Sequence, residues 1–323
     1  LDWASGRMEG PIDTKSVTKS VVCMVLGRLF QEGLLTDLDV SLARMLPAWN
    51  GTAKERITLR HVMSHTSGLD ASASSEEVFA SGDVVAFALE TGLVNEPGSR
   101  FAYNNAAVNL LPAVIESVAG EAMDQVAAQL LFEPLGIRSW KWRRDAAGTP
   151  LAMSGCQLEA RDLALLGQVM AHGGTWLGRQ LLSPEWCRLT TAPAPPSDVG
   201  DLQRYLRSHG LLWWMLYPEN ETFLIDDDVL RAWREADPPM EPSVMQCLEP
   251  LVGGAYTQEA LCSAVAGALG ALTSGNSERA LGMWHDNTWR RGLPDGRRAP
   301  GSEMGYFAQG ARGQLLIVEP GRR

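Results

Sequence analysis

The sequence predicts an α+β protein, and three observations carry that reading. Segments with apolar residues at helical spacing crowd the first 172 of its 323 residues. The best strand candidates come late, at 211–217 and 314–319. The composition, 45% hydrophobic and 20% charged, is that of an ordinary globular chain long enough for a sizeable core.

The first helix is predicted over 14–32, with Asp13 or Thr14 as its cap. Val17, Val21, Met24, Val25 and Leu26 give it an apolar face, and Gly33 is its stop. Further helices are predicted at 56–65, 104–118, 121–132 and 159–172. Leu211–Tyr217 and Gln314–Glu319 read as strands, with Trp213 and Trp214 as core residues. Residues 219–300 differ from their flanks. Nine acidic residues against two basic lie between Glu219 and Glu249, and Arg279, Arg290, Arg291, Arg297 and Arg298 follow. That asymmetry predicts a solvated insertion with its own helices, or a lid over the site.

A net charge of −10 argues against nucleic acid or an anionic membrane as the main partner. No apolar run is long enough for a membrane span. Five scattered cysteines read as mostly free thiols. His61 and His65 are four apart, but Val62 stands where a zinc protease motif needs Glu, so neither a metal nor a cofactor is expected. Nothing in the sequence decides between cytoplasm and periplasm. The chain starts Leu-Asp-Trp, fifteen residues before Ser16, and an incomplete protein is expected at both termini.

Ser16-Val17-Thr18-Lys19 is an S-x-x-K pattern. On a helix, residues three apart share a face, so Lys19 can reach the Ser16 hydroxyl. A serine hydroxyl needs such a base, and a lysine serves as one when burial lowers its pKa. Tyr103-Asn104-Asn105 follows a turn and precedes a helix. Tyr103 can move a proton and Asn105 can offer an amide to a substrate. Gly310-Ala311-Arg312-Gly313-Gln314 leads into the last strand, where glycines admit a substrate to the backbone and an N–H can serve an oxyanion. A plain hairpin turn is the alternative.

In this order the three pieces resemble the serine β-lactamase, penicillin-binding-protein and esterase superfamily, and its class C-like branch most. LRHVMSHTSGLD (59–70), EPGSRFAYNNAAVNLLPAVIESVAGE (96–121), LLFEPLGIRSWKW (130–142), the 160–186 stretch and YFAQGARGQLLIVEP (306–320) extend the resemblance. It implies an antiparallel sheet flanked by helices, with a mostly helical region over about 34–190, all in one catalytic domain of residues 1–323. Ser16 would be acylated, with Lys19 and Tyr103 handling its proton. Asn105 would contact the substrate or Lys19. Ala311, Arg312 and Gly313 would line the substrate site, and the backbone N–H groups of Ser16 and Gln314 would form the oxyanion hole. The implied substrate is a small ester, amide or peptide-like molecule. One departure stands out: the family places Lys or His where Ala311 falls, which puts carboxylate recognition in doubt. A binding or regulatory protein that has lost turnover is the alternative to an enzyme.

Overall fold

Among the residues described by the computed structural model, 10–192, 209–216, 222–288, 293, 296–298 and 305–320, helices and small antiparallel sheets alternate. The chain divides into two compact units, 1–199 with 208–215 and 305–323, and 200–207 with 216–304.

In the first unit the serine helix runs Val17–Gln31, and every residue from Val17 to Leu29 is buried. It is therefore a core helix covered on all sides, not a surface helix with one apolar stripe. It starts later than predicted, and neither Asp13 nor Thr14 caps it. Thr14 Oγ1 instead donates to the Cys156 carbonyl at 2.8 Å, and Asp13 accepts from the Lys15 backbone N–H at 3.0 Å. Gly33, at φ 73°, does close the helix.

Two antiparallel sheets hold this helix. Cys156–Leu158 lies between Ile12–Asp13 and Trp140–Trp142, in the register Asp13↔Gln157 and Lys141↔Gln157. Gly305–Gly310 lies between Gln314–Val318 and Trp214–Leu216, with Gly310 opposite Gln314. The prediction that strands come only late is thus corrected, since three short strands precede residue 160.

The predicted helix 104–118 is two helices, Asn105–Val108 and Leu111–Ala119. Pro112 lacks an N–H and sits in the first turn of the second, so the ladder breaks just before it. The 56–65 segment is shorter, Leu59–Met63, and is capped reciprocally by Thr58 and His61. The 121–132 segment is Met123–Ala127 followed by π-helical Ala128–Phe132. Ala160–Ala171 forms as expected.

The second unit has a core of its own, in which Phe223, Ile225, Val229, Trp233, Val244, Leu261 and Trp284 are buried together. Thr222–Ile225 is the middle strand of its sheet, between Gly254–Thr257 and Arg297–Arg298. Tyr217, Glu219, Arg290 and Arg291 lie outside the described residues.

Candidate active site

Lys15 holds a left-handed backbone, φ 54°, immediately before Ser16. Such a conformation costs a non-glycine residue about a kcal/mol or more and persists only when its surroundings fix it. Here the Asp13 carboxylate accepts from both the Lys15 backbone N–H, at 3.0 Å, and its ammonium, at 2.6 Å. Thr14 Oγ1 also meets Thr18 Oγ1 at 3.1 Å, and Thr18 Oγ1 accepts from Cys156 N–H. The start of the serine helix is thereby fastened to the Cys156 strand.

One turn into the helix, the Lys19 ammonium donates to Ser16 Oγ at 3.1 Å and to the Met153 carbonyl at 2.7 Å. Lys19 is only 3% exposed. Burial holds its pKa below the usual lysine value, and the adjacent Tyr103 phenol pulls the other way. Lys19 Nζ lies 4.9 Å from the centre of the Tyr103 ring. Ser16, Lys19 and Tyr103, predicted together, are brought together.

Asn105 is expected to contact the substrate or Lys19, and no bond to Lys19 is found for it among the described residues. Its Nδ2 donates to Ser75 Oγ at 2.9 Å, and its Oδ1 is buried with no partner among the described residues. The residue that supports Lys19 is Asn109, which sequence reasoning missed. Its Oδ1 accepts from Ala152 N–H and Met153 N–H, and so aims the Met153 carbonyl at Lys19. Asn104 caps the helix that follows it and donates to the carbonyls of Leu69 and Asp70.

The third segment also needs correction. Ala311, Arg312 and Gly313 form the turn of the hairpin, and all three are exposed. Nothing lies within 4 Å of where a side chain on Gly313 would begin. Gly310 is the close approach instead. A Cβ there would meet the Thr14 carbonyl oxygen at 2.5 Å and Lys15 Cβ at 2.9 Å. The strand end beside the start of the serine helix is therefore Gly310, three residues before Gly313. Gln314 stays at that end, as the partner of Gly310.

Behind Tyr103 lies a group of rings. His65 is 4.4 Å from Tyr103 between centres, and Trp214 stacks on it at 5.9 Å and 16°. His209 reaches both His65, at 4.9 Å, and Trp214, at 4.6 Å. Burial holds both imidazoles in their neutral form: His65 falls well below the ordinary histidine value and His209 to about 3. Trp214, expected as plain core, thus also backs the site. His61 Nδ1 accepts from the Thr58 N–H and His65 Nδ1 from the Asn104 N–H. Among the described residues no group of His, Cys, Asp and Glu is arranged to hold a metal ion.

Known proteins with related sequences and folds bear on this arrangement. The chain is 28% identical over 157 residues to monacolin J acid methylbutanoyltransferase of Aspergillus terreus, an alignment covering 41% of the chain and 38% of that protein. The chain spans 30% to 38% of the length of the first curated relatives it matches. Its fold is similar to that of a penicillin-binding-protein homologue of Caulobacter crescentus (TM-score 0.53, 20% identity, 66% of this chain and 69% of that one). It is also similar to EstCE1, described as a hydrolase with promiscuous acyltransferase activity (TM-score 0.50, 22% identity, 62% and 68%). The sequence profile of the β-lactamase family matches residues 11–320, nearly the whole chain. An S-x-x-K helix beside a tyrosine, and a profile match running from the first strand to the last, make this chain a member of the β-lactamase family.

Proposed function

We propose that the chain is a serine hydrolase that cleaves an ester or amide bond in a small molecule through an acyl-enzyme on Ser16. The observation that carries the proposal is the buried Lys19 ammonium 3.1 Å from Ser16 Oγ, with the Tyr103 ring beside it. Burial disfavours the charged lysine, so Lys19 can accept the Ser16 proton, directly or through the Tyr103 phenol. Oγ then attacks the substrate carbonyl carbon, and the carbonyl oxygen becomes an oxyanion. Backbone N–H groups at Ser16 and at the Gly310–Gln314 hairpin end are the donors for it, each worth about 10²–10³ in rate. Collapse expels the alcohol or amine, which takes the proton back. Water then repeats the sequence and releases the acid. Asn105, whose buried Oδ1 has no partner among the described residues, is left to meet an N–H of the substrate.

Family membership and a fold neighbour described as a hydrolase with acyltransferase activity support this reaction class. Placement in the class C-like branch rests on the order of the three motifs.

A second reading, binding without turnover, draws on the hairpin. Gln309, Gly310 and Ala311 offer no ammonium or imidazole at the strand end, and Ala308 is buried and apolar. One experiment separates the two readings. The protein is incubated with a fluorophosphonate and, separately, with a penicillin, and its mass is measured intact and after digestion. The enzyme reading expects an adduct on Ser16 that is absent from Ser16→Ala. An adduct that persists in Ser16→Ala sinks the assignment of the nucleophile.

A further inference from the structure

Tyr103 is followed by a short helix and preceded by a loop, so its own segment does little to fix it. His65 does more. Its carbonyl accepts from the Ala102 N–H at 2.8 Å. Its Nδ1 accepts from the Asn104 N–H at 3.2 Å. Its ring lies against the Tyr103 ring between those two bonds. One residue thus grips the chain on both sides of Tyr103 and touches Tyr103 itself.

The grip is built at a cost. His65 has φ 57°, in the left-handed region that is uncommon for any residue but glycine, though histidine enters it more readily than most. Its Nδ1 bond fixes the neutral tautomer with the proton on Nε2. That Nε2 is buried with no partner among the described residues, an expense comparable to a lost hydrogen bond. Nothing in the packing of an apolar core calls for an imidazole here. An acceptor at the Nδ1 position does.

We propose that His65 is a positioning residue for Tyr103, holding the phenol in reach of Lys19 and Ser16 through paired backbone bonds to Ala102 and Asn104. The proposal rests on the reading of Tyr103 as a proton carrier for Ser16. The role assigned to His65 is indirect. Its effect passes entirely through Tyr103.

The test is a double-mutant cycle read with p-nitrophenyl acetate and with the rate of Ser16 labelling by a fluorophosphonate. His65→Leu removes the acceptor and leaves the Asn104 N–H buried and unpaired. His65→Asn keeps an acceptor oxygen near the Nδ1 position and tolerates the left-handed backbone. A displacement of about 1 Å in a catalytic group can cost on the order of 10²-fold in rate. His65→Leu is therefore expected to lower kcat by about 10- to 100-fold, with KM changed little. His65→Asn should recover most of that loss. In a Tyr103→Phe background His65→Leu should change the rate by less than about twofold, because the group it positions is gone.

An equal loss in both backgrounds, or a His65→Asn variant no better than His65→Leu, overturns the proposal while the role of Tyr103 stands. A Tyr103→Phe variant with full activity overturns the role of Tyr103, and the positioning role with it. Should His65→Leu not fold, His65→Gly takes its place against His65→Asn. Both suit φ 57°, and only the asparagine retains the acceptor.

Discussion

Acid should loosen the first unit before it damages any carboxylate network, and His209 makes the effect calculable. The ring is buried, and desolvation is the main reason that it stays neutral down to about pH 3. Its Nδ1–H donates to the Gly210 carbonyl, which pulls the other way, and the Lys19 charge adds to the depression. In the unfolded chain an ordinary histidine titrates near 6.5. Between about pH 6.5 and 3 the unfolded chain therefore binds a proton that the folded one does not, and stability falls as pH falls. From pH 7.5 to 5 the loss from His209 alone comes to about 2 kcal/mol, or about 30-fold in the opening equilibrium. His65, also held neutral by burial, acts in the same direction. The assay is hydrogen exchange of a peptide spanning the serine helix, 17–31, corrected for intrinsic rates, which reports opening of this unit independently of the second. His209→Gln can keep a donor for the Gly210 carbonyl and removes the titration. Its protection should lose about 30-fold less over the same pH interval. An identical pH dependence in the two proteins would show that His209 is not held neutral by the fold.

Gly310→Ala should cut kcat/KM by at least about tenfold with a smaller effect on stability, because its Cβ would press on the Thr14 carbonyl and displace the start of the serine helix. Gly27→Ala should destabilise by about 1–3 kcal/mol in urea unfolding, since its Cβ would fall 2.5 Å from Trp186 Nε1 inside a filled core. Replacing residues 219–300 by a short Gly-Ser linker should leave a folded, serine-reactive protein with altered substrate choice; an insoluble or molten product would show that the segment belongs to the core of the fold. Small neutral activated esters should be turned over faster than penicillins. Penicillin turnover that equals the ester rate and survives Arg312→Ala would refute that preference.

The parts of the site set by local geometry were legible in the sequence. The three-residue spacing of Ser16 and Lys19 needs only a helix to bring the two groups within 3.1 Å. The parts set by distant chain were not. Met153 meets Lys19 across 134 residues, and Asn109, which aims it, looks in sequence like any asparagine inside the predicted helix 104–118. In sequence Gly310 and Gly313 give the same turn signal. Only the approach of Thr14 distinguishes them. The strand Gly305–Gly310 escaped because Tyr306, Phe307 and Ala308 are all buried, which erases the alternation that marks a half-exposed strand. Ile12–Asp13 and Cys156–Leu158 are too short to carry a period at all. In sequence His65 stands four residues from His61, the spacing of a zinc pair read along one helix. Its actual partners, Ala102 and Asn104, lie nearly forty residues away.

The charges around Ser16 suggest why the site should favour neutral substrates. Three described cations, one just before the serine helix, one on it and one in the hairpin turn, stand in different conditions. Lys15 is paired with the Asp13 carboxylate at 2.6 Å, so its charge is largely offset where it stands. Lys19 is buried, bound to Ser16 and the Met153 carbonyl, and pushed toward its neutral form. Arg312 sits in an exposed turn, where water screens its charge. The wall behind Tyr103 adds no charge, because His65 and His209 are both held neutral and the Lys19 charge further disfavours protonating either. A substrate carboxylate would therefore leave water for a site whose one buried cation is already committed to the serine. That exchange is unfavourable unless a charge meets it directly. A neutral ester bears no such penalty, and in the proposed reaction the developing oxyanion would need only backbone N–H groups, with the start of the serine helix and the Gly310 hairpin end as the proposed donors and no further cation.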